Sequence, residues 1–217
     1  MTVKRRIVIV DDHPMVREGL KGRLSLEPDL EVCGEAEEVV SAVQLIEQAA
    51  PDLAVVDVSL GSGSGIDLIR RLRARDCQVP VLMLSMYEEN LYADRALRAG
   101  AMGYVSKNAS SKTIIDAVRH VLSGRMYLSP EYSELLAHRI ALGREGLSDD
   151  PVTALSDREL EVFRLIGSGR TTAELASELH LSIHTVETHR QRIKSKLELQ
   201  SAAALSCAAA QWVLENG

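Results

Sequence analysis

In the first half of the chain, apolar residues fall into short unbroken runs separated by amphipathic stretches. Ile7–Val10, Leu30–Val32, Leu53–Val56, Val81–Leu84 and Gly103–Val105 read as five strands. Runs that are apolar throughout, instead of alternating, suit parallel strands covered on both faces. Each run is followed by helical spacing of apolar positions, over about 14–26, 38–49, 66–75, 88–99 and 111–123. This alternation predicts an α/β doubly wound, five-stranded parallel sheet with right-handed crossovers.

After Gly124 the pattern changes. Ser129-Pro130 predicts a helix start with proline at the first helical position, and the helix runs to about Leu142. Residues 143–151 (GREGLSDDP) are polar, acidic and punctuated by glycine, which is a linker composition. From Leu155 onward only helical signals remain. Ser156-x-x-Glu159 and Thr171-x-x-Glu174 are capping boxes, and Ser182 and Ser201 stand where N-caps belong. Four helices are predicted there, making a small all-α domain. The expected division is 4–124, a linker with a helix over 125–151, and 152–217.

Composition narrows the class. Apolar residues make up 46% and charged residues 26%, a globular balance, while aromatics at 3% leave the cores to aliphatic side chains. No apolar run approaches the roughly 20 residues of a membrane helix, so no membrane association is expected. The apolar run near the N-terminus is too short for a signal peptide. Cys33, Cys77 and Cys207 are scattered without metal-ligand spacing and read as reduced, mostly buried thiols of a cytoplasmic protein. The net charge of −6 taken alone argues against nucleic acid. Its distribution does not: residues 182–197 hold Arg190, Arg192, Lys194 and Lys196 against Glu187 alone.

In an open α/β sheet, ligands gather at the carboxyl ends of the strands. Asp11 and Asp12 follow the first strand, Asp57 the third, Ser85 the fourth, and Lys107 lies just past the fifth. Three converging carboxylates repel one another unless a cation intervenes. Oxygen ligands of this kind suit Mg²⁺, a hard ion that bridges carboxylates to a phosphoryl group. Lys107 supplies a point charge and Ser85 a hydroxyl donor for phosphoryl oxygens. A carboxylate in such a place can act as a nucleophile and form an acyl phosphate. Any one of these residues alone reads as a helix cap or solvated surface; four matching strand ends do not.

Residues 4–124 resemble the receiver domain of two-component signalling. IVIVDDHPMVREGL, the Asp57 strand end, VLMLSMYEE and GAMGYVSKNAS are similar to the NarL/FixJ subfamily of response regulators. The resemblance implies a flavodoxin-like fold, a sensor histidine kinase as partner and Asp57 as the phosphorylation site. It also implies that Asp12, Asp57 and the Ser59 carbonyl hold Mg²⁺, with Asp11 acting mainly through water. Lys107 matches the phosphate-binding lysine, and Ser85 with Tyr104 the hydroxyl and aromatic pair whose coupled rotation reports phosphorylation. Gly61 departs from the pattern, standing where receivers often carry proline. GSGSG lacks phosphate-cradling spacing, and the stretch is expected to be a flexible loop.

The second motif is Thr171–Leu197. Helix spacing turns Leu175, Ala176 and Leu179 inward on its first helix, and Ile183, Val186, Ile193 and Leu197 on its second. The opposite face of the second helix shows His184, Thr188, Gln191 and Ser195. Arg192 flanks that face on one side, Glu187 and Lys194 on the other, and Thr185 and Lys196 lie further round. His189 turns toward the packed side. Amides and hydroxyls bordered by cations are what a major-groove reader needs, although any amphipathic helix has a solvated face.

LSDRELEVFRLIGSGRTTAELASELHLSIHTVETHRQRIKSKL is similar to the LuxR-type helix-turn-helix domain. The resemblance implies double-stranded DNA as partner, with Glu187, Thr188 and Gln191 on base edges and Lys194 and Lys196 on the backbone; Thr185 and Arg192 join the DNA-facing set. Glu187 stands where many members place lysine, and Thr172 where asparagine is frequent. The last helix, about 201–215, carries Leu205, Ala208, Ala209, Trp212 and Val213 on one stripe. Its stripe suits core packing, and the resemblance adds pairing of two such domains.

The reading that unites both motifs is a transcription regulator, not an enzyme. Mg²⁺-dependent phosphorylation of Asp57 would favour a homodimer and DNA binding. A DNA-binding protein whose receiver serves only as a dimerisation module is the alternative. An aspartyl-nucleophile phosphatase fits poorly, because that chemistry usually wants a second acid two residues after the nucleophile and Asp57-Val58-Ser59 has none.

Overall fold

The computed structural model describes residues 4–61, 63–86, 89–141 and 151–216. The chain forms two compact units, which divide between Glu134 and Leu135. The expected linker over 143–151 lies outside the described residues except for Pro151.

The first unit runs β1 (Arg5–Val10), α1 (Pro14–Leu24), β2 (Leu30–Ala36), α2 (Val39–Ala49), β3 (Leu53–Asp57), β4 (Ser59–Leu60), β5 (Gly63–Ser64), α3 (Gly65–Arg73), β6 (Val81–Ser85), α4 (Glu89–Ala99), β7 (Gly103–Ser106) and α5 (Ser111–Leu122). A further helix, α6 (Pro130–Ala141), follows. The main sheet has the order β2-β1-β3-β6-β7, and every pairing in it is parallel. All five residues of β3 and of β6 are buried, as their unbroken apolar runs require. One core gathers Ile7, Ile9, Leu53, Val55, Leu82 and Leu84 from the strands against Leu20 and Leu24 of α1 and Val118 and Val121 of α5.

Strand β2 extends four residues past its apolar run. It is an edge strand whose middle is half-exposed, so Cys33, Gly34 and Glu35 carry no hydrophobic signal, and the register with β1 slips between Ile7 and Val8. The glycine stretch after Asp57 is also more ordered than its composition predicts. Leu60 is fully buried and pairs with Gly63 in the β4–β5 hairpin. Gly65 then passes so close to β3 that a Cβ there would stand 2.0 Å from the Asp57 carbonyl oxygen.

A strap returns to the sheet after α5. Tyr127 makes a parallel bridge to Gly103, its amide donating to the Met102 carbonyl at 3.0 Å while its carbonyl accepts from the Tyr104 amide at 3.0 Å. Ser129 Oγ then caps α6 by accepting from the Tyr132 amide at 3.1 Å. Tyr132 is buried, and its hydroxyl donates to Asp94 of α4 at 2.5 Å.

The second unit comprises a 3-10 turn (Pro151–Ala154), α7 (Asp157–Gly167), α8 (Thr172–Glu178), α9 (Ile183–Lys196) and α10 (Ala202–Asn216). Both expected capping boxes are complete, Ser156 with Glu159 and Thr171 with Glu174. Ser182 and Ser201 accept the amides of Thr185 and Ala204 at 3.0 Å. Leu205 and Ala209 of α10 are fully buried, and Trp212 lies 5.9 Å from the Phe163 ring of α7. Gly167 admits this approach, since a Cβ there would meet the Ala209 carbonyl at 2.3 Å. Core packing thus accounts for Leu205 and Ala209, while Ala208, Trp212 and Val213 of the stripe are half-buried. The cysteines are less buried than expected: Cys207 is exposed on α10, and Cys33 and Cys77 are half-buried, both beside breaks in apolar runs.

Candidate functional site

The sheet order reverses between β1 and β3, which opens a crevice at their carboxyl ends. Asp11 and Asp12 leave the end of β1, Asp57 ends β3, and Lys107 follows β7, its amide tied to the Ser85 carbonyl at 2.7 Å. The four side chains converge. Lys107 Nζ lies 2.6 Å from Asp57 Oδ2 and 2.7 Å from Asp11 Oδ2, and all three groups are nearly sealed from solvent. Burial pushes the Asp57 carboxyl up to about 7, against the pull of Lys107 and with the added repulsion of Asp11. Burial would lower the Lys107 ammonium, but Asp57 and Asp11 outweigh it and hold the group above its ordinary value. One ammonium thus serves two buried carboxylates, with a third at the rim.

The carboxylates are not spent on capping α1. Its N-cap is His13, with Pro14 at the first helical position and no side-chain cap bond. Asp11 Oδ1 accepts the His13 amide at 2.9 Å, and Asp12 Oδ2 accepts the Gly61 amide at 2.9 Å. A proline at 61 would have no such donor, and Gly61 also sits at φ +44°, which a proline ring forbids. Asp11 Oδ2 and Asp12 Oδ1 are buried without a hydrogen bond, although Lys107 stands beside the first and His13 Nδ1, at 2.7 Å, beside the second.

Ligand atoms of Asp11, Asp12, His13 and Asp57 all fall within 4.8 Å of one another. Hard carboxylate oxygens gathered so closely fit a small divalent cation such as Mg²⁺. Ser59 opens β4 two residues beyond Asp57, and its amide bonds the Asp57 carboxyl. Ser85 is fully buried at the end of β6, level with Ser106 of β7. Tyr104 is buried within β7. His13 and the Gly61 amide are pocket members that the sequence reading did not single out; His13 was visible only as the residue between the aspartate pair and Pro14.

In the second unit, Val186 and Ile193 of α9 are buried against the preceding helices. Ile183, expected inward, is 58% exposed. It is the first residue after the Ser182 cap, and helix periodicity gives the direction of a side chain, not the reach of its neighbours. His189 is half-buried, and burial together with Arg158 holds its imidazole below the ordinary value. His184, Gln191, Arg192 and Ser195 are exposed, and Thr185, Thr188 and Lys194 partly so.

Four expected DNA contacts are engaged within the domain. The Thr188 hydroxyl donates to the His184 carbonyl at 3.0 Å, and the Thr185 hydroxyl pairs with that of Ser182 at 2.8 Å. Lys196 Nζ lies 2.7 Å from Glu159 Oε2 and donates to the Ala154 carbonyl at 3.1 Å. Glu187 Oε1 accepts from the Thr172 hydroxyl at 3.1 Å and lies 3.5 Å from Arg190 Nε. The two departures from the LuxR-type pattern, Thr172 and Glu187, therefore touch each other.

Residues 7–119 match the response regulator receiver domain, and residues 153–209 match the bacterial regulatory proteins of the luxR family. Over 204 residues the chain is 37% identical to the oxygen regulatory protein NreC of Staphylococcus carnosus (strain TM300), covering 92% of this chain and 94% of NreC. It is 36% identical over 200 residues to the response regulator protein VraR of Staphylococcus aureus (strain NCTC 8325 / PS 47), covering 92% of each. Among solved structures it is similar to the response regulator ChrA of a heme-sensing two-component system. That likeness has a TM-score of 0.52 and 33% identity over 96% of this chain and 98% of ChrA.

Proposed function

The chain belongs to the NarL/FixJ response regulators, a receiver domain followed by a LuxR-type DNA-binding domain, and from that premise we propose that phosphorylation of Asp57 switches its hold on DNA. It is a two-component transcription regulator, and its relatives are regulators, not enzymes. The observation that carries the phosphorylation reading is the convergence of Asp11, Asp12, Asp57 and Lys107 at the crevice.

A carboxylate oxygen of Asp57 attacks phosphorus of the donor, a phosphohistidine of a sensor kinase. The new P–O bond forms as the P–N bond breaks, and the released imidazole takes up a proton. Bound by Asp12, Asp57 and the Ser59 carbonyl, with Asp11 acting through water, Mg²⁺ would neutralise charge on the phosphoryl oxygens. Lys107 gives up its shared place between Asp11 and Asp57 to pair with a phosphoryl oxygen. Ser85 donates to another, and the inward ring of Tyr104 registers the movement. Removal of the Lys107 restraint is the signal on this reading, and homodimer formation its output.

On the DNA side, Glu187, Thr188 and Gln191 meet base edges of double-stranded DNA, Lys194 meets phosphates, and Thr185 and Arg192 complete the DNA-facing set. Lys196 reaches a phosphate only by leaving Glu159. We take the working domains as the receiver 4–124 with its strap to Glu134, and 152–217, with a linker between, acting in the cytoplasm; among the described residues no helix is long and apolar enough to cross a membrane.

The test is incubation with Mg²⁺ and a small phosphodonor, following intact mass, oligomer size and DNA binding, with Asp57→Asn alongside. A single phosphoryl adduct absent from Asp57→Asn, with larger oligomers and tighter DNA binding, is expected. No adduct with undiminished DNA binding would sink the switch and favour a receiver acting only as a dimerisation module.

A further inference from the structure

One buried cation beside the acidic pocket has no part in the phosphoryl chemistry. Arg17, at the fourth position of α1, is only 8% exposed. Its Nη1 donates to the Asp11 carbonyl at 2.6 Å and its Nη2 to Glu37 Oε1 at 2.5 Å, while Nε stands 3.8 Å from Glu35 Oε2. Glu35 is held in turn by Lys21 at 2.6 Å. The guanidinium therefore ties α1 to the end of β1, the end of β2 and the turn into α2. A lysine could not do this, because an ammonium is a point charge without the planar fork.

The contact with Asp11 is the informative one. The Asp11 amide donates to the Ala36 carbonyl at 3.1 Å, and Oδ1 accepts the His13 amide at 2.9 Å. With Arg17 on its carbonyl, Asp11 is held at its amide, its carbonyl and its side chain. Its carbonyl belongs to the same peptide plane as the Asp12 amide, and that plane is rigid. Fixing it places the Asp12 nitrogen and Cα, and so narrows where Asp12 Oδ1 lies in the pocket. Glu35 and Glu37 balance the guanidinium charge, so Lys107 keeps the two buried carboxylates to itself.

We propose that Arg17 is a positioning residue for the metal-binding carboxylates Asp11 and Asp12, acting through the Asp11 carbonyl, with Glu37 as its anchor. This rests on the reading that the pocket takes Mg²⁺ and Asp57 a phosphoryl group. Groups one step behind metal ligands typically change metal affinity 10–100-fold when removed. A purely structural arginine would change stability and leave the affinity of the folded protein for Mg²⁺ alone.

The experiment uses full-length wild type, Arg17→Lys and Glu37→Gln. Mg²⁺ binding is measured by isothermal titration calorimetry, and the extent of Asp57 phosphorylation is followed against Mg²⁺ concentration. Arg17→Lys is expected to weaken Mg²⁺ binding about 10- to 100-fold. Its phosphorylation plateau at saturating Mg²⁺ stays at the wild-type level while the half-saturation point moves. Glu37→Gln, a change at a largely exposed carboxylate, shifts the same way by less. Wild-type Mg²⁺ affinity in a folded Arg17→Lys overturns the proposal, as does a lowered plateau with unmoved half-saturation. If Arg17→Lys does not fold, Glu37→Gln decides: unchanged affinity there overturns it equally. A wild type that binds no Mg²⁺ and takes no phosphoryl group sinks the phosphorylation reading, and this inference with it.

Discussion

Lys107 makes the acidic pocket tenable, because it is the ammonium shared by Asp11 and Asp57 where neither carboxylate reaches bulk water. Lys107→Met leaves two buried like charges facing each other. We expect a loss of about 3–5 kcal/mol in the stability of the first unit, read from denaturant unfolding, with part of it recovered by millimolar Mg²⁺. An unchanged midpoint would contradict the shared-ammonium picture. A second residue-scale prediction concerns Glu187, whose carboxylate is steadied by the Thr172 hydroxyl. An acid accepts from cytosine N4, whereas lysine donates to guanine. Glu187→Lys should therefore move base preference at one position of each half-site from cytosine to guanine, by about 1–3 kcal/mol. It should also steepen the salt dependence by about one unit. Thr172→Val should blunt the cytosine preference without adding one for guanine. Binding-site selection with the three proteins separates these outcomes. The chemistry at these positions was legible in the residue types, but their partners were not. Nothing in the spacing of Arg17, Glu37 and Asp11, or of Thr172 and Glu187, announces that they meet, because each pair is joined by the tertiary fold.

Local elements were legible where their signals are local. Both capping boxes and the Ser182 and Ser201 caps stand as read, since each is written within four residues. Polar edge strands and short glycine hairpins escape such reading, because β2 and the β4–β5 pair draw their order from neighbours. Gly65 shows the consequence. A Cβ there meets the Asp57 carbonyl at 2.0 Å and Val56 Cγ1 at 2.8 Å, so β3 and α3 must part to accept it. Gly65→Ala is expected to cost about 3 kcal/mol or more, lowering the melting temperature of the first unit and abolishing the Asp57 adduct. In the second unit, burial pushes the Glu159 carboxyl up, but Lys196 and the Ser156 amide and hydroxyl outweigh it and hold it below the ordinary value of 4.5. A carboxyl lowered on folding stabilises fully above that ordinary value, and the contribution disappears as pH falls through the lowered one. Trp212, the single tryptophan, sits on α10 beside the Phe163 ring and reports on this unit. Its fluorescence-detected unfolding midpoint should fall with acidification below about pH 4.5, and the fall should be shallower in Glu159→Gln.

At the scale of the whole molecule, the α/β and all-α division was legible from periodicity alone, because a parallel sheet and a helical domain demand different apolar spacing. Where the first unit ends was less so. The strand-helix alternation stops near Gly124, yet Tyr127, Ser129 and Tyr132 remain bonded to β7 and α4. A fragment ending at Glu134, the close of the first unit, should still accept a phosphoryl group at Asp57. A fragment inert to the donor would count against an autonomous receiver. The Tyr127 bridge carries a further consequence. It occupies the outer edge of β7, and an uncovered strand edge invites pairing with another chain. Receiver fragments truncated at Gly124 should therefore lose solubility and self-associate regardless of phosphorylation. Fragments ending at Glu134 should stay monodisperse, and only they would let regulated dimerisation be told apart from sticking at a bare sheet edge.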